Sequence, residues 1–163
     1  MRKVYDEILT FLVKHKQNIK MFWNNAKDHQ LAFLQNGCVI VQTWDGPIIT
    51  MKKQGKPLTY MAPREGAITW VDSMAIVKNA KNLEQAYAFF NWAYTPEAGA
   101  TMAKATGYNS VVKGASNLLD GDTRNAFADA YPDDALKNLW WYISEPAWFV
   151  PARTEYRDKF QAA

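Results

Sequence analysis

The hydrophobic pattern near the start of the chain has the spacing of an amphipathic helix. Between Arg2 and His15 the apolar residues recur every three or four positions, at Val4, Ile8, Phe11 and Leu12. Side chains at that spacing share one face of a helix, so we expect a helix with one buried face. A shorter helix is expected from Ala26 to Gln35, because Asn36-Gly37 is a typical helix stop.

Three later segments have the composition of β-strands. The run from Cys38 to Thr43 is apolar and rich in β-branched residues, which is typical of a strand covered on both faces. Such a strand would leave the Cys38 thiol buried and inert. A short strand is expected from Leu58 to Met61, and a longer extended run from Ala67 to Val77.

Further helices are marked by their capping residues. Pro47 can begin a helix that runs to about Lys53, and Asn82 can cap one that runs to about Tyr94. Thr95 followed by proline predicts another, to about Thr106, before Gly107. Two more are expected towards the end, at Ala135 to Tyr142 and Thr154 to Ala162.

This alternation of helices and strands, followed by a helical C-terminal tail, predicts an α/β fold. We expect a mixed sheet flanked by helices. The arrangement is typical of one lobe of a two-lobed binding protein. At 163 residues, with 48% hydrophobic and 21% charged residues, the composition is that of one ordinary soluble domain.

The net charge and the search for targeting segments limit the classes of protein to which the chain can belong. The net charge is +3 and no run of Lys or Arg exceeds two, so nucleic-acid binding is not expected. The chain has no apolar stretch of transmembrane length, and Met1-Arg2-Lys3 leads into a polar helix rather than a signal peptide. We therefore expect a cytoplasmic protein or a piece of something longer.

The residues of enzymes and metal sites are sparse. Cys38 is the single cysteine, so no intramolecular disulfide is possible. His15 and His29 have no second His or Cys at metal-ligand spacing, and neither lies near a Gly-rich nucleophile turn. We expect no catalysis, no metal and no cofactor.

Two tryptophan–aspartate pairs carry the strongest candidate chemistry. Trp44 precedes Asp45 at a predicted strand-to-helix junction, and Trp70 lies two residues before Asp72 in a predicted strand, so that both face one side. An indole face attracts cations through its quadrupole, and a neighbouring carboxylate adds charge. The pairs predict a binding site for an organic ammonium ligand, at the sheet edge where open α/β folds bind ligands.

Several strings resemble one known family. The segment from Pro63 to Ile76, PREGAITWVDSMAI, resembles the P-x-E-G-x-x-x-W-x-D-S-x-A-I segment of the polyamine-binding proteins, the spermidine/putrescine receptors of bacterial ABC importers. Thr43-Trp44-Asp45-Gly46 stands in the place of that family's W-(N/S/D)-G motif, and Ala105-Thr106-Gly107-Tyr108 is similar to its T-x-G-Y turn. The resemblance covers nearly the whole chain, which corresponds to the second half of the family's members.

This resemblance implies a fold and a site. The fold would be one lobe of a type II periplasmic-binding-protein-like architecture. Residues 1–70 and 107–163 would form ligand-binding lobe 2, and residues 71–106 the hinge crossing and the helices that pack on lobe 1. Trp44, Trp70 and Asp72 would contact a polyamine in the cleft between the lobes. Asp45 is a further candidate, although a junction aspartate commonly caps a helix instead.

The resemblance also places Trp141-Tyr142 where the family has a Trp-Gln pair, so both are candidate ligand residues. It implies a periplasmic location and ABC permease subunits as partners. Without a first lobe, we expect exposed apolar faces at Leu83, Tyr87, Phe90 and Trp92, and hence a partner chain or self-association.

Two other interpretations remain open at this level. In the first, the protein is a non-catalytic interaction module, and Trp44, Trp70, Trp140 and Trp141 are core rings or interface anchors. In the second, the receptor fold binds another small solute.

Overall fold

The computed structural model describes every residue from Met1 to Ala163 and has a mixed α/β, helix-rich fold. The seven α-helices are α1 (Arg2–Lys14), α2 (Ala26–Leu34), α3 (Asp45–Lys53), α4 (Leu83–Ala93), α5 (Pro96–Thr106), α6 (Gly121–Ala130) and α7 (Phe149–Ala162). The two strands are β1 (Ala67–Thr69) and β2 (Leu139–Trp141). Short 3-10 helices span Lys16–Asn18, Ala115–Leu118 and Ala135–Asn138. None of the helices combines the length and the apolarity that a membrane crossing needs.

The sheet consists of β1 and β2 alone, which pair in parallel. Ala67 lies opposite Leu139, and Thr69 lies opposite Trp141. The pairing continues one step further, because the Tyr142 amide donates to the Thr69 carbonyl over 2.9 Å. The α/β class is therefore confirmed, but the sheet is smaller than expected and parallel rather than mixed.

The strand expected from Cys38 to Thr43 is wrong, since this segment is irregular. Val39 and Ile40 are each 89% exposed, and Cys38 is half-buried rather than enclosed. The segment has a strand's composition, but a strand also needs a neighbour with which to form a hydrogen-bond ladder. No strand lies beside it here, because the sheet holds only β1 and β2.

Two other strand predictions fail in the same way. Leu58 to Met61 is irregular, and the extended run from Ala67 stops at Thr69 instead of reaching Val77. β1 ends where its partner ends, because β2 offers only three paired positions.

Most of the predicted helices form close to their expected bounds, although Asn82 precedes α4 without forming a side-chain cap hydrogen bond. Four of the predicted helices match α1, α2, α4 and α5 closely. The Thr95 hydroxyl accepts a hydrogen bond from the Ala98 amide, and Gly107 ends α5 in the left-handed region, as the sequence predicts.

Two helices start earlier than predicted, and one predicted helix does not form. α3 begins at Asp45, two residues before Pro47, and α7 begins at Phe149 rather than Thr154. The helix expected from Ala135 to Tyr142 is wrong: it stops after one 3-10 turn, and Leu139–Trp141 becomes β2. Pairing with β1 overrides the local helical pattern there.

The chain divides into two compact units, Met1–Val41 with Ile143–Ala163, and Gln42–Tyr142. In the first unit, α1 packs on α7. The Tyr156 hydroxyl donates to Asp6 over 2.6 Å, and the Tyr5 and Tyr156 rings stack 4.9 Å apart. The division into residues 1–70 with 107–163 and residues 71–106 follows the roles of family lobes and stays a prediction.

In the second unit, α3, α5 and α6 enclose the main core. Its buried residues are Ile49, Ala100, Ala103, Ala115, Leu119, Ala126, Phe127 and Ala130. A smaller cluster of Ala62, Ala67 and Ala135 lies at the sheet. Tyr60 and Tyr131 pack against both clusters and so join them.

The burial of His29 predicts that the stability of the protein depends on pH. Its imidazole is fully buried and lies 4.8 Å from the Trp23 ring. Burial lowers the pKa of His29 below its ordinary value of 6.5, and the nearby Asp28 charge only partly opposes this. The folded state thus favours the neutral imidazole.

We expect the free energy of unfolding to fall as the pH drops from 6.5 towards the lower pKa of folded His29, because the unfolded chain takes up the proton more readily. Urea unfolding at a series of pH values measures this. The fall should shrink in His29→Gln and persist in the control His15→Gln. An unchanged pH dependence in His29→Gln would contradict the assignment.

Candidate functional site

The first tryptophan–aspartate pair, Trp44 and Asp45, lies where the chain enters α3. Trp44 has an extended backbone and directly precedes the helix, and Asp45 is the first helical residue. The Asp45 carboxylate accepts a hydrogen bond from the Gly46 amide through Oδ1, over 2.8 Å. Through Oδ2 it accepts one from the Tyr131 hydroxyl, over 2.7 Å. A carboxylate in the first turn also interacts favourably with the helix dipole.

Trp70 lies at the centre of a group of aromatic rings, one residue past the end of β1. Its ring centroid is 6.4 Å from that of Trp44, 6.5 Å from that of Tyr108 and 6.5 Å from that of Tyr142. We call these four residues the aromatic ledge. Trp70 is 38% exposed and Trp44 is half-buried, so the ledge retains surface that a ligand can reach.

The second aspartate lies open beside the ledge. Asp72 is exposed, and its carboxylate takes part in no hydrogen bond or ion pair of the structure. Its charge nevertheless reaches the ledge: burial raises the pKa of Tyr108, and the charges of Asp45 and Asp72 raise it further. Tyr108 therefore stays protonated at neutral pH and lies in the negative field of both carboxylates.

Two glycines bring Tyr108 into this position. Gly107 ends α5 with a φ of +76°, and a Cβ there would collide with the carbonyl oxygen of Gly46. A Cβ on Gly46 would lie 2.8 Å from the Tyr108 ring. The end of α5 thus lies directly on the first turn of α3, with no side chain between them.

Trp141 and Tyr142, the two candidate ligand residues at the end of β2, do not share one face of the sheet. Side chains alternate between the faces of a strand, so Trp141 lies on the opposite face from Tyr142. Tyr142 is the one whose ring meets Trp70. Trp141 is exposed and its ring contacts no ring of the ledge.

Of the six predicted site residues, the structure brings Trp44, Asp45, Trp70, Asp72 and Tyr142 into one region and leaves Trp141 on the far face of β2. The sequence interpretation omitted Tyr108 from the site. Its signal was present in the Gly107-Tyr108 turn, since a left-handed glycine after a helix fixes the direction of the residue that follows.

A family model described as bacterial extracellular solute-binding protein matches residues 2–136. The chain belongs to this family. It is similar to the spermidine/putrescine-binding periplasmic protein of Escherichia coli K12, at 30% identity over 131 residues, which are 80% of this chain and 37% of that protein.

Two further solute-binding proteins show the same level of similarity. The spermidine/putrescine-binding periplasmic protein 1 of Haemophilus influenzae is 30% identical over 142 residues, which are 86% of this chain and 38% of that protein. A putrescine-binding periplasmic protein of Escherichia coli K12 is 28% identical over 136 residues, 79% of this chain and 36% of that protein. The resemblance to the polyamine-binding proteins is thus confirmed. The chain spans little more than a third of the length of these solute-binding relatives.

The glycine contact below Tyr108 gives a stability test. Gly107→Ala should lower the free energy of unfolding by about 2 to 4 kcal/mol, because it adds a clash with Gly46 to the strain of a left-handed backbone. The control is Gly55→Ala. Gly55 has a φ of +77°, but nothing lies within 4 Å of a Cβ built there.

The control should lose only about 1 kcal/mol, the backbone strain alone. Urea unfolding compares the two variants. Equal losses in both would show that the contact between α5 and α3 is not tight.

Proposed function

We propose that this chain forms the ligand-binding part of a solute-binding receptor for a cationic polyamine such as putrescine or spermidine. The single observation that carries this proposal is the aromatic ledge with the open Asp72 carboxylate beside it. The receptor would work in the periplasm with the permease subunits of an ABC importer. Its fold would correspond to one lobe of the type II periplasmic-binding architecture, with the ligand held in the cleft between two lobes. That role needs no catalytic group.

The chemistry of a polyamine suits these side chains. A protonated amine carries its charge on ammonium groups separated by methylene chains. Indole and phenol rings attract the ammonium through their quadrupoles and cover the methylene groups with apolar surface. Asp72 supplies the charge that a desolvated ammonium requires, because an unpaired buried cation would be costly.

Magnitudes favour weak binding by this chain alone. Each cation–π contact contributes about 0.5 to 2 kcal/mol, and association costs several times that amount. A diamine has two ammonium groups, and Asp72 can pair with one of them. We therefore propose that tight binding requires ligand contacts from a first lobe.

The exposed apolar side chains around α4 support a place for that lobe. Leu83, Tyr87 and Trp92 are all exposed, Phe90 is half-buried, and Ala93 is the one buried residue of the helix. A groove of about 510 Å³ lies between α4 and residues 75–82. Apolar faces of this kind are usually covered by a partner. We propose the first lobe of a two-lobed receptor as its occupant.

The same exposed face favours a second candidate function, a non-catalytic interaction module. In that case the ledge would bind protein side chains rather than a small cation. Amine titrations separate the two candidates.

Tryptophan emission should change on titration with putrescine or spermidine, at constant ionic strength, and not with a neutral sugar. Asp72→Asn should abolish the change, because it removes the open carboxylate, while leaving the unfolding free energy within about 0.5 kcal/mol of wild type. The control is Asp122→Asn, since Asp122 is an exposed carboxylate in the first turn of α6.

An equal response to amine and sugar would reject the polyamine assignment. So would an unchanged amine response in Asp72→Asn. Isothermal calorimetry on the chain alone should show dissociation constants weaker than micromolar.

The α4 face can be tested by mixing the chain with a separately produced first lobe of the Escherichia coli spermidine/putrescine-binding relative. Light scattering should detect a one-to-one complex, because the lobe covers the apolar face. Replacing Leu83 and Tyr87, which share one side of α4, by Glu should abolish it, and replacing the similarly exposed Phe11 of α1 by Glu should not. Failure to form a complex, or a complex that survives the α4 substitutions, would contradict the proposal.

A further inference from the structure

Asp45 and Asp72 both lie near the Tyr108 ring, but they differ in whether their carboxylate oxygens are already hydrogen-bonded within the protein. The half-buried Asp45 has both oxygens engaged, Oδ1 by the Gly46 amide at 2.8 Å and Oδ2 by the Tyr131 hydroxyl at 2.7 Å. Asp72 is exposed, with neither oxygen engaged. The charges of both carboxylates raise the pKa of Tyr108.

We propose that Tyr131 is a specificity-determining residue of the ledge. By holding Asp45, it leaves Asp72 as the single carboxylate open to a ligand, so the ledge recognises one primary ammonium group and the alkyl chain next to it. This inference rests on the proposed function, and it assigns to Asp45 the role of an anchor rather than of a ligand contact.

The surroundings of Tyr131 favour a permanent hydrogen bond. Its ring packs against the cores on both sides and lies 5.9 Å from the Tyr60 ring. Burial raises the pKa of Tyr131 far above its ordinary value, and the hydrogen bond to Asp45 and that residue's charge raise it further. The hydroxyl therefore keeps its proton at neutral pH and donates it to Asp45.

The hydrogen bond from Tyr131 also affects how readily Asp45 can pair with a ligand. Hydrogen bonds to both oxygens hold the Asp45 carboxylate in one orientation and weaken each oxygen as an acceptor for a further donor. Without the Tyr131 hydroxyl, the half-buried Asp45 carboxylate would lose one hydrogen-bond donor. Pairing with a ligand ammonium would then replace that lost hydrogen bond. The ledge would then offer two carboxylates, which suits a dication better than a monocation.

The test compares a diamine with a monoamine of the same chain length. Dissociation constants for putrescine and butylamine are measured by tryptophan emission on the whole chain, with ionic strength held constant by sodium chloride. Tyr131→Phe should improve putrescine binding relative to butylamine by about two- to fivefold, the worth of one additional solvent-screened ion pair. The double variant Tyr131→Phe with Asp45→Asn should show the same ratio as Asp45→Asn alone, because no second carboxylate is left to release.

The chain offers a matched control. Tyr156 also donates its hydroxyl to an aspartate, Asp6, over 2.6 Å, but it lies in the other compact unit. Tyr156→Phe removes the same kind of hydrogen bond and should leave the ratio of the two constants unchanged. An equal change in Tyr131→Phe and Tyr156→Phe would show a general effect of lost stability and overturn the inference.

Asp45→Asn alone gives an independent arm if Tyr131→Phe folds poorly. Under the proposal Asp45 acts only as a distant charge, so the dication loses about twice the binding free energy that the monocation loses, and the factor for putrescine is about the square of the factor for butylamine. A loss of putrescine binding well beyond that square would mean that Asp45 contacts the ligand, and the inference would fall.

The outcomes also separate this inference from the function on which it rests. If wild-type emission responds to neither amine, the polyamine function fails, and the role of Tyr131 fails with it. If wild type responds and Tyr131→Phe leaves the ratio unchanged, only the inference about Tyr131 fails.

Discussion

The close approach of α5 to α3 is the contact on which the candidate site is built. Gly107 lies against the carbonyl of Gly46, and Gly46 in turn lies against the Tyr108 ring, so neither position has room for a side chain. A residue with a Cβ at either glycine would push the two helices apart. Because Tyr108 follows Gly107 directly, the same contact fixes where its ring meets Trp70.

The site combines surfaces that a protein normally keeps apart. Large aromatic rings usually fill the core, yet the rings of Trp70 and Tyr142 are partly open here. The two nearby carboxylates divide their roles: Asp45 is tied to the start of α3 and to Tyr131, and Asp72 is left to solvent. Under the proposed function, this division would offer a ligand one open carboxylate beside the rings.

Capping residues made several elements predictable from sequence. Thr95 acts through a hydrogen bond within the first turn, and Pro96 and Gly107 act through their own backbone conformations. These local effects fix the two ends of α5 wherever it packs. The strands were less predictable. Cys38 to Thr43 has the composition of a covered strand and is irregular, while Leu139–Trp141 was expected in a helix and pairs with β1. A strand depends on a partner distant in sequence, which local pattern does not reveal.

The sequence by itself determined the α/β class, the capped helices, the family resemblance and the two tryptophan–aspartate pairs, because these depend on residue type and short-range spacing. Only the tertiary structure decided that Tyr108 joins the ledge, that Trp141 faces away from Tyr142, and that Tyr131 holds Asp45. Tyr131 and Asp45 are 86 positions apart in the chain. Such a contact arises from the packing of α3 and α6, so the folded chain alone reveals it.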